Sequence, residues 1–155
     1  GRTARELAHL TDRFAIDTDD IIESFAKQKI RKIFKNPGEA TFRAMEQQTA
    51  LWLENNVNNT IVSTGGGFFM VEQISKLGRV IYLHSSVEHI IDAIHNHPKG
   101  AQKIKKRPLL QDLNKAKELY AHRLPRYREV ADYEINVEGA EIGKVAEEIV
   151  EMLKI

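Results

Sequence analysis

Four short runs rich in β-branched residues, separated by helical stretches, constrain this chain more than any other feature. They are Phe14-Ala15-Ile16, Thr60-Ile61-Val62-Ser63, Arg79 to Leu83 (RVIYL) and Tyr133 to Val137. Each is too short for a helix and is bounded by turn residues, so each predicts a strand. Between them the apolar residues recur at helical spacing. Thr3 to Leu10 carries Ala4, Leu7 and Ala8 on one face, and Asp20 is placed to cap a helix with Ile21, Ile22 and Phe25 as its buried stripe. Ile30 to Phe34 forms a short helix stopped by Asn36-Pro37-Gly38, and Glu39 to Asn55 a long one with Phe42, Met45, Thr49 and Trp52 in phase. Val71 to Leu77 ends at Gly78, in the usual glycine position after a helix. Helices then follow over Val87 to Asn96, Leu113 to Leu124 and Ile142 to Leu153, the last with an apolar face of 3.6-residue period. Alternating strand and helix implies an α/β fold with a mostly parallel sheet. The unbroken run Val80 to Leu83 predicts a strand buried on both faces. No internal repeat or linker interrupts the pattern, and 155 residues suit one domain, residues 1–155, with one continuous core.

Composition narrows the function. Lys and Arg number 23 against 22 Asp and Glu, a net charge of +1, which argues against a protein that coats nucleic acid. Zero cysteines exclude a disulfide scaffold, a thiolate zinc site and a cysteine nucleophile, and fit a reducing cytoplasm. The apolar stretch Thr60 to Val71 is too short to cross a bilayer and holds three glycines, so no membrane partner is expected.

In parallel α/β sheets ligands bind beyond the carboxyl ends of the strands. Two of those ends are chemically loaded. Asp17 and Asp19 flank Thr18 directly after the first run. In extended backbone they point the same way and can face one cleft, which suits a hard cation held through water or a base for a substrate hydroxyl. The plain alternative is a turn-and-cap cluster. The second loaded end is Gly65-Gly66-Gly67, after Thr64. Glycines there allow backbone to approach a ligand closely and present successive N–H groups to an anion, whereas a simple turn does not need three of them.

Arg43 and Glu46 stand three apart on the long helix and share a face; an exposed ion pair is the ordinary reading of such spacing. Arg107 heads Arg-Pro-Leu-Leu, and Arg123 precedes Leu124-Pro125-Arg126-Tyr127. Taken singly these arginines are surface residues, though planar guanidinium groups are also natural partners for carboxylate and phosphate. Residues 99–107 (KGAQKIKKR) carry five positive charges and no acid, as a solvated loop or as a lid closing over a polyanion. The run lacks interleaved aromatics for stacking bases. His84, His89, His95 and His97 suggest no metal centre in the absence of cysteine or an HExxH pattern. Trp52 reads as core, and no Ser-His-Asp arrangement with a nucleophile elbow is visible.

The ordered series Asp17-Thr18-Asp19, Glu23, Ile33-Phe34, Gly38-Glu39, Phe42-Arg43, Glu46, Ser63 to Gly67, Arg107 to Leu110 and Arg123 to Tyr127 resembles shikimate kinase over essentially the whole chain. The resemblance implies a three-layer αβα P-loop NTPase fold with a five-stranded parallel sheet, a substrate-binding region near residues 20–50 and a lid near 98–113. It implies transfer of the γ-phosphoryl of ATP, with Mg²⁺, to the 3-hydroxyl of shikimate by a cytoplasmic, monomeric enzyme of aromatic amino-acid synthesis. Carried over by position, Asp19 is the carboxylate that bonds the reacting hydroxyl and takes its proton, and Asp17 helps hold Mg²⁺ through water. Arg43 and Arg123 clamp the shikimate carboxylate, with Glu46 orienting Arg43. Gly65, Gly66 and Gly67 lie against substrate and γ-phosphate, and Arg107 reaches the transferring group. Phe34, Phe42, Pro108 and Leu109 form the apolar walls.

The family opens with a buried strand and a G-x-x-x-x-G-K-[ST] phosphate loop, and neither precedes Leu7-Ala8 here. Counting back, Gly1 falls at or just after the lysine position, which assigns Gly1 to nucleotide binding. The first strand and phosphate loop are thus expected to be missing from the sequence as given, which would impair these 155 residues by themselves and leave a fragment that binds shikimate. A related small hydroxy-acid kinase, such as a gluconate-type enzyme, is the other reading of the same motifs.

Overall fold

The computed structural model describes residues 1–96, 98, 99 and 113–155, with only the backbone at 113. The elements run α1 (Arg2–Thr11), β1 (Ala15–Asp17), α2 (Thr18–Ala26), α3 (Ile30–Lys35), α4 (Glu39–Asn56) and β2 (Ile61–Ser63). A 3₁₀ turn (Phe68–Met70) and α5 (Ile74–Leu77) lead to β3 (Ile81–His84), α6 (Val87–His95), α7 (Leu113–Val130), β4 (Tyr133–Asn136) and α8 (Ile142–Leu153). All strand pairing among the described residues is parallel, as the alternation requires. β1 pairs with β2 in the register Ala15 to Ile61 through Asp17 to Ser63. β3 pairs with β4 from Ile81 to Tyr133 through His84 to Asn136.

With the first of the family's five strands expected to be missing here, the described residues form four strands, and these stand in two separate pairs. β2 and β3 do not hydrogen-bond to each other, and residues of both line a cleft of about 990 Å³. That also corrects the expectation for Val80 to Leu83. Facing the cleft, β3 is half-buried along its whole length instead of covered on both sides. Helices α1 and α8 join the two pairs. Leu7, Val145, Ala146, Ile149 and Leu153 pack with Ile135, and with Ile61 of β2 and Ile81 and Leu83 of β3. A second cluster sets Ala50 and Leu53 of α4 against Phe68 and Val71, with Ile16 of β1 packed beside them.

Several local expectations shift. Asp17, not Asp20, caps α2: its Oδ1 accepts the Asp19 and Asp20 N–H groups at 2.8 and 3.2 Å, so the helix starts at once after the strand. Ile22 is the buried residue of the α2 stripe, while Phe25 is 70% exposed. On α4 the buried face is Phe42, Glu46, Thr49, Ala50 and Leu53, which turns Trp52 outward and overturns its reading as core. The helix expected over Val71 to Leu77 is only the single turn of α5, because Val71 is extended after the 3₁₀ turn. α7 does not stop at Leu124 but runs through Pro125 to Val130. The missing N–H at position 125 costs one intrahelical bond, and the flanking turns hold the helix in spite of it.

Candidate active site

The site assembles where β1 and β2 end, and each component follows from local structure. Asp17 closes β1 and spends Oδ1 on capping α2, which leaves Oδ2 facing the strand ends. Its register partner is Ser63, whose Oγ lies 2.8 Å from the Gly1 nitrogen, and that nitrogen is 3.7 Å from Asp17 Oδ2. Asp19 is the second residue of α2, in its first turn. The two carboxylates are therefore neighbours across the start of a helix and not along an extended strand. Asp19 Oδ1 is buried with no protein partner among the described residues. Burial first, then the charge of Asp17, then that of Glu46, push the Asp19 carboxyl up to about 6 from its usual 3.8.

Arg43 and Glu46 are no surface pair. Glu46 is 1% exposed, and its Oε1 accepts from Arg43 Nη1 at 2.6 Å while Arg43 Nε donates to Glu39 at 3.3 Å. The guanidinium lies 5.9 Å from the Phe34 ring centre and 5.3 Å from that of Phe42, and the two rings are 5.0 Å apart. Burial raises the Glu46 pKa, and the bond and charge of Arg43 oppose the rise. A buried carboxylate paired in this way fixes the arginine's direction and leaves part of its donor fork for another anion. Arg123, on α7, is 7% exposed with its guanidinium 5.9 Å from the Phe69 ring centre.

The three glycines explain how these groups come together. A Cβ at Gly65 would sit 2.9 Å from Asp19 Oδ1. One at Gly66 would lie 3.3 Å from both Arg123 Nη1 and Tyr127 Oη, and one at Gly67 only 2.2 Å from Arg43 Nη1. Each absent side chain lies against a different functional group: Gly65 and Gly67 have no room for a Cβ, and at Gly66 one would fit only tightly.

The structure thus brings together Asp17, Asp19, Phe34, Phe42, Arg43, Glu46, Gly65, Gly66, Gly67 and Arg123, with Gly1 at the strand-end corner. Arg107, Pro108 and Leu109, and the lid apart from residues 98, 99 and the backbone of 113, lie outside the described residues. The large cleft lined by β2 and β3 meets this cluster only at its edge: Gly1, Gly65 and Gly66 line it, but Asp19, Arg43 and Arg123 do not. Chemistry and cavity size therefore point to different places, and the converged charges locate the site. Ser63, Glu39 and Tyr127 enter the sequence reading only as members of the ordered series, with no role assigned, and Phe69 not at all. Tyr127 carries a further signal, its i+4 spacing from Arg123, which the expected helix end at Leu124 conceals.

The shikimate kinase family profile matches residues 2–154. The chain belongs to the shikimate kinase family. Among its relatives, the shikimate kinase of Helicobacter hepaticus is 37% identical over 149 residues, which cover 96% of this chain and 86% of that one. The shikimate kinase of Caldanaerobacter subterraneus subsp. tengcongensis is 35% identical over 142 residues, covering 87% and 78%. In three dimensions the Acinetobacter baumannii shikimate kinase, solved in complex with shikimate, superposes with a TM-score of 0.83 at 30% identity, over 98% of this chain and 84% of that one. The shikimate kinase of Bacteroides thetaiotaomicron gives 0.82 at 22% identity, over 99% and 90%, and shows the common fold. The architecture is accordingly the α/β P-loop NTPase fold of this family, and ATP is its phosphoryl donor.

One question of fit concerns magnesium. Among the described residues no group of three or more His, Asp or Glu side chains gathers into a metal cage. Asp17 Oδ2 and Ser63 Oγ nevertheless place hard oxygen donors at adjacent strand ends. Mg²⁺ prefers such a site, with one or two protein oxygens and the rest of its shell from water and phosphate.

Proposed function

We propose that this protein transfers the γ-phosphoryl group of ATP to the 3-hydroxyl of shikimate, giving shikimate 3-phosphate and ADP. The observation that carries the reading is the convergence of Asp19, Arg43 and Arg123 on the Gly65-Gly66-Gly67 turn in a member of this family. Arg43 and Arg123 bind the substrate carboxylate, Glu46 orients Arg43, and Phe34 and Phe42 form the apolar wall. Asp19 accepts the hydroxyl proton. Its raised pKa, about 6, keeps it ionised at neutral pH while making it a better base than an ordinary carboxylate. The glycine turn brings backbone against the substrate and the transferring group, and the nucleotide's phosphates lie toward Gly1 and Ser63. Asp17, with Ser63 beside it, holds Mg²⁺ through water; when bound, that ion neutralises charge on the phosphate oxygens. Phosphoryl transfer asks for little beyond such positioning and charge stabilisation. Arg107 completes the charge stabilisation from the lid, with Pro108 and Leu109 closing the apolar wall. The chain acts as a single domain and as a monomer in the cytoplasm.

The test is ADP release by purified full-length protein with MgATP and a panel of hydroxy acids. Shikimate-dependent release, with gluconate and similar acids inert, is the expected result. No response to shikimate would end this reading.

A further inference from the structure

Tyr127 takes no part in the chemistry described above, yet it joins two pieces of the site. It stands four residues after Arg123 on α7 and so shares its face. Its hydroxyl donates to the Gly66 carbonyl at 2.6 Å. Its ring is fixed on two sides, stacked on Tyr82 (centroids 5.0 Å apart, planes at 29°) and edge-on to Phe69 (4.9 Å, 77°). Phe69 in turn is the ring beside which Arg123 lies. The phenol is thus held by packing, and the Arg123 guanidinium lies within hydrogen-bonding reach of its hydroxyl.

What that donor controls follows from peptide geometry. In a trans peptide the carbonyl of one residue and the N–H of the next point in opposite directions. A bond that draws the Gly66 carbonyl to α7 therefore turns the Gly67 N–H away from it. A Gly-Gly peptide has no side chain to resist rotation, so it needs an external tether to keep one orientation. The same hydroxyl lies 3.3 Å from where a Gly66 Cβ would be, at the distance of Arg123 Nη1 from that point. The turn is packed against arginine and tyrosine together.

We propose that Tyr127 is a positioning residue that sets the Gly66–Gly67 peptide plane and the place of Arg123 as one unit; this rests on the shikimate kinase reading above. Tyr127→Phe keeps both ring contacts and removes only the hydroxyl. The expected result is a fall in kcat/KM for shikimate of roughly 2- to 13-fold, the worth of one hydrogen bond. It should come with a raised KM for shikimate, an unchanged KM for ATP and a melting temperature lower by no more than about 2–4 °C. In a double-mutant cycle with Arg123→Lys, the combined loss should fall short of the product of the single losses, because each change already disturbs the same unit. A kcat/KM equal to wild type overturns the assignment, and so do losses that multiply independently or KM values for ATP and shikimate that rise together. Those outcomes leave an active wild type; a wild type inert toward shikimate would instead overturn the functional reading itself.

Discussion

Replacing Gly67 by alanine isolates the substrate clamp from the fold. The new Cβ would meet Arg43 at Nη1 (2.2 Å), Cζ (2.6 Å) and Nη2 (2.8 Å), distances no atom pair tolerates. Backbone φ at Gly67 is −98°, open to any residue, so the strain falls on the guanidinium and not on the chain. An arginine tip can swing aside, but this one is held by the 2.6 Å bond to Glu46 and by the Phe34 and Phe42 rings. Moving it forfeits a charge-assisted hydrogen bond of about 1.5–3 kcal/mol, and the substrate carboxylate loses the same arginine. The expected loss is therefore roughly 10- to 150-fold in kcat/KM for shikimate, concentrated in KM. KM for ATP should stay near wild type. Stability should fall less than the lost bond suggests, because Glu46, its pKa already raised by burial, can take up a proton when its partner leaves. Steady-state kinetics with each substrate varied in turn, together with a thermal melt, reads all three quantities. If Gly67→Ala kept a wild-type KM for shikimate, the claim that this glycine exists to admit Arg43 would be wrong.

Asp19→Asn should nearly abolish kcat yet raise the melting temperature at pH 7. The folded pKa of Asp19 lies above its ordinary value, about 6 against 3.8, so its ionised form opposes folding. The stability this group contributes is complete below its unfolded pKa and lost as pH rises through about 6; a lower melting temperature for the variant would contradict this. Wild-type kcat/KM should fall on the acid side with an apparent pKa near 6, and a profile flat from pH 7 to 5 would remove Asp19 as the base. Arg123→Lys keeps the charge but loses the planar fork, so shikimate KM should rise about 10-fold with ATP KM unaffected, as read by initial rates. Phe68, 0% exposed, should cost about 3–5 kcal/mol in urea unfolding when changed to Ala, whereas Phe14→Ser, at a position 87% exposed, should shift stability by less than about 0.5 kcal/mol.

How much of this was legible beforehand depends on the range of the interaction. Periodicity placed nearly every helix and all four strands, since burial of one face leaves a local repeat in the chain. Asp17, Asp19 and the three glycines stood out because strand ends are where an α/β sheet gathers chemistry. Trp52 and Phe25 misled because apolar type and spacing do not say which side of a helix meets a neighbour; on α4 the buried phase includes Glu46. The identity of Arg43–Glu46 as a buried pair, the separation of β2 from β3, and the tether from Tyr127 to Gly66 join residues far apart in sequence or depend on what encloses them. No local pattern records them. The sequence by itself determined the α/β alternation and the residue types available for binding an anion and accepting a proton. Only the tertiary structure decided that each glycine of the turn faces one of those residues, because a missing Cβ acquires meaning from the atom that occupies its place.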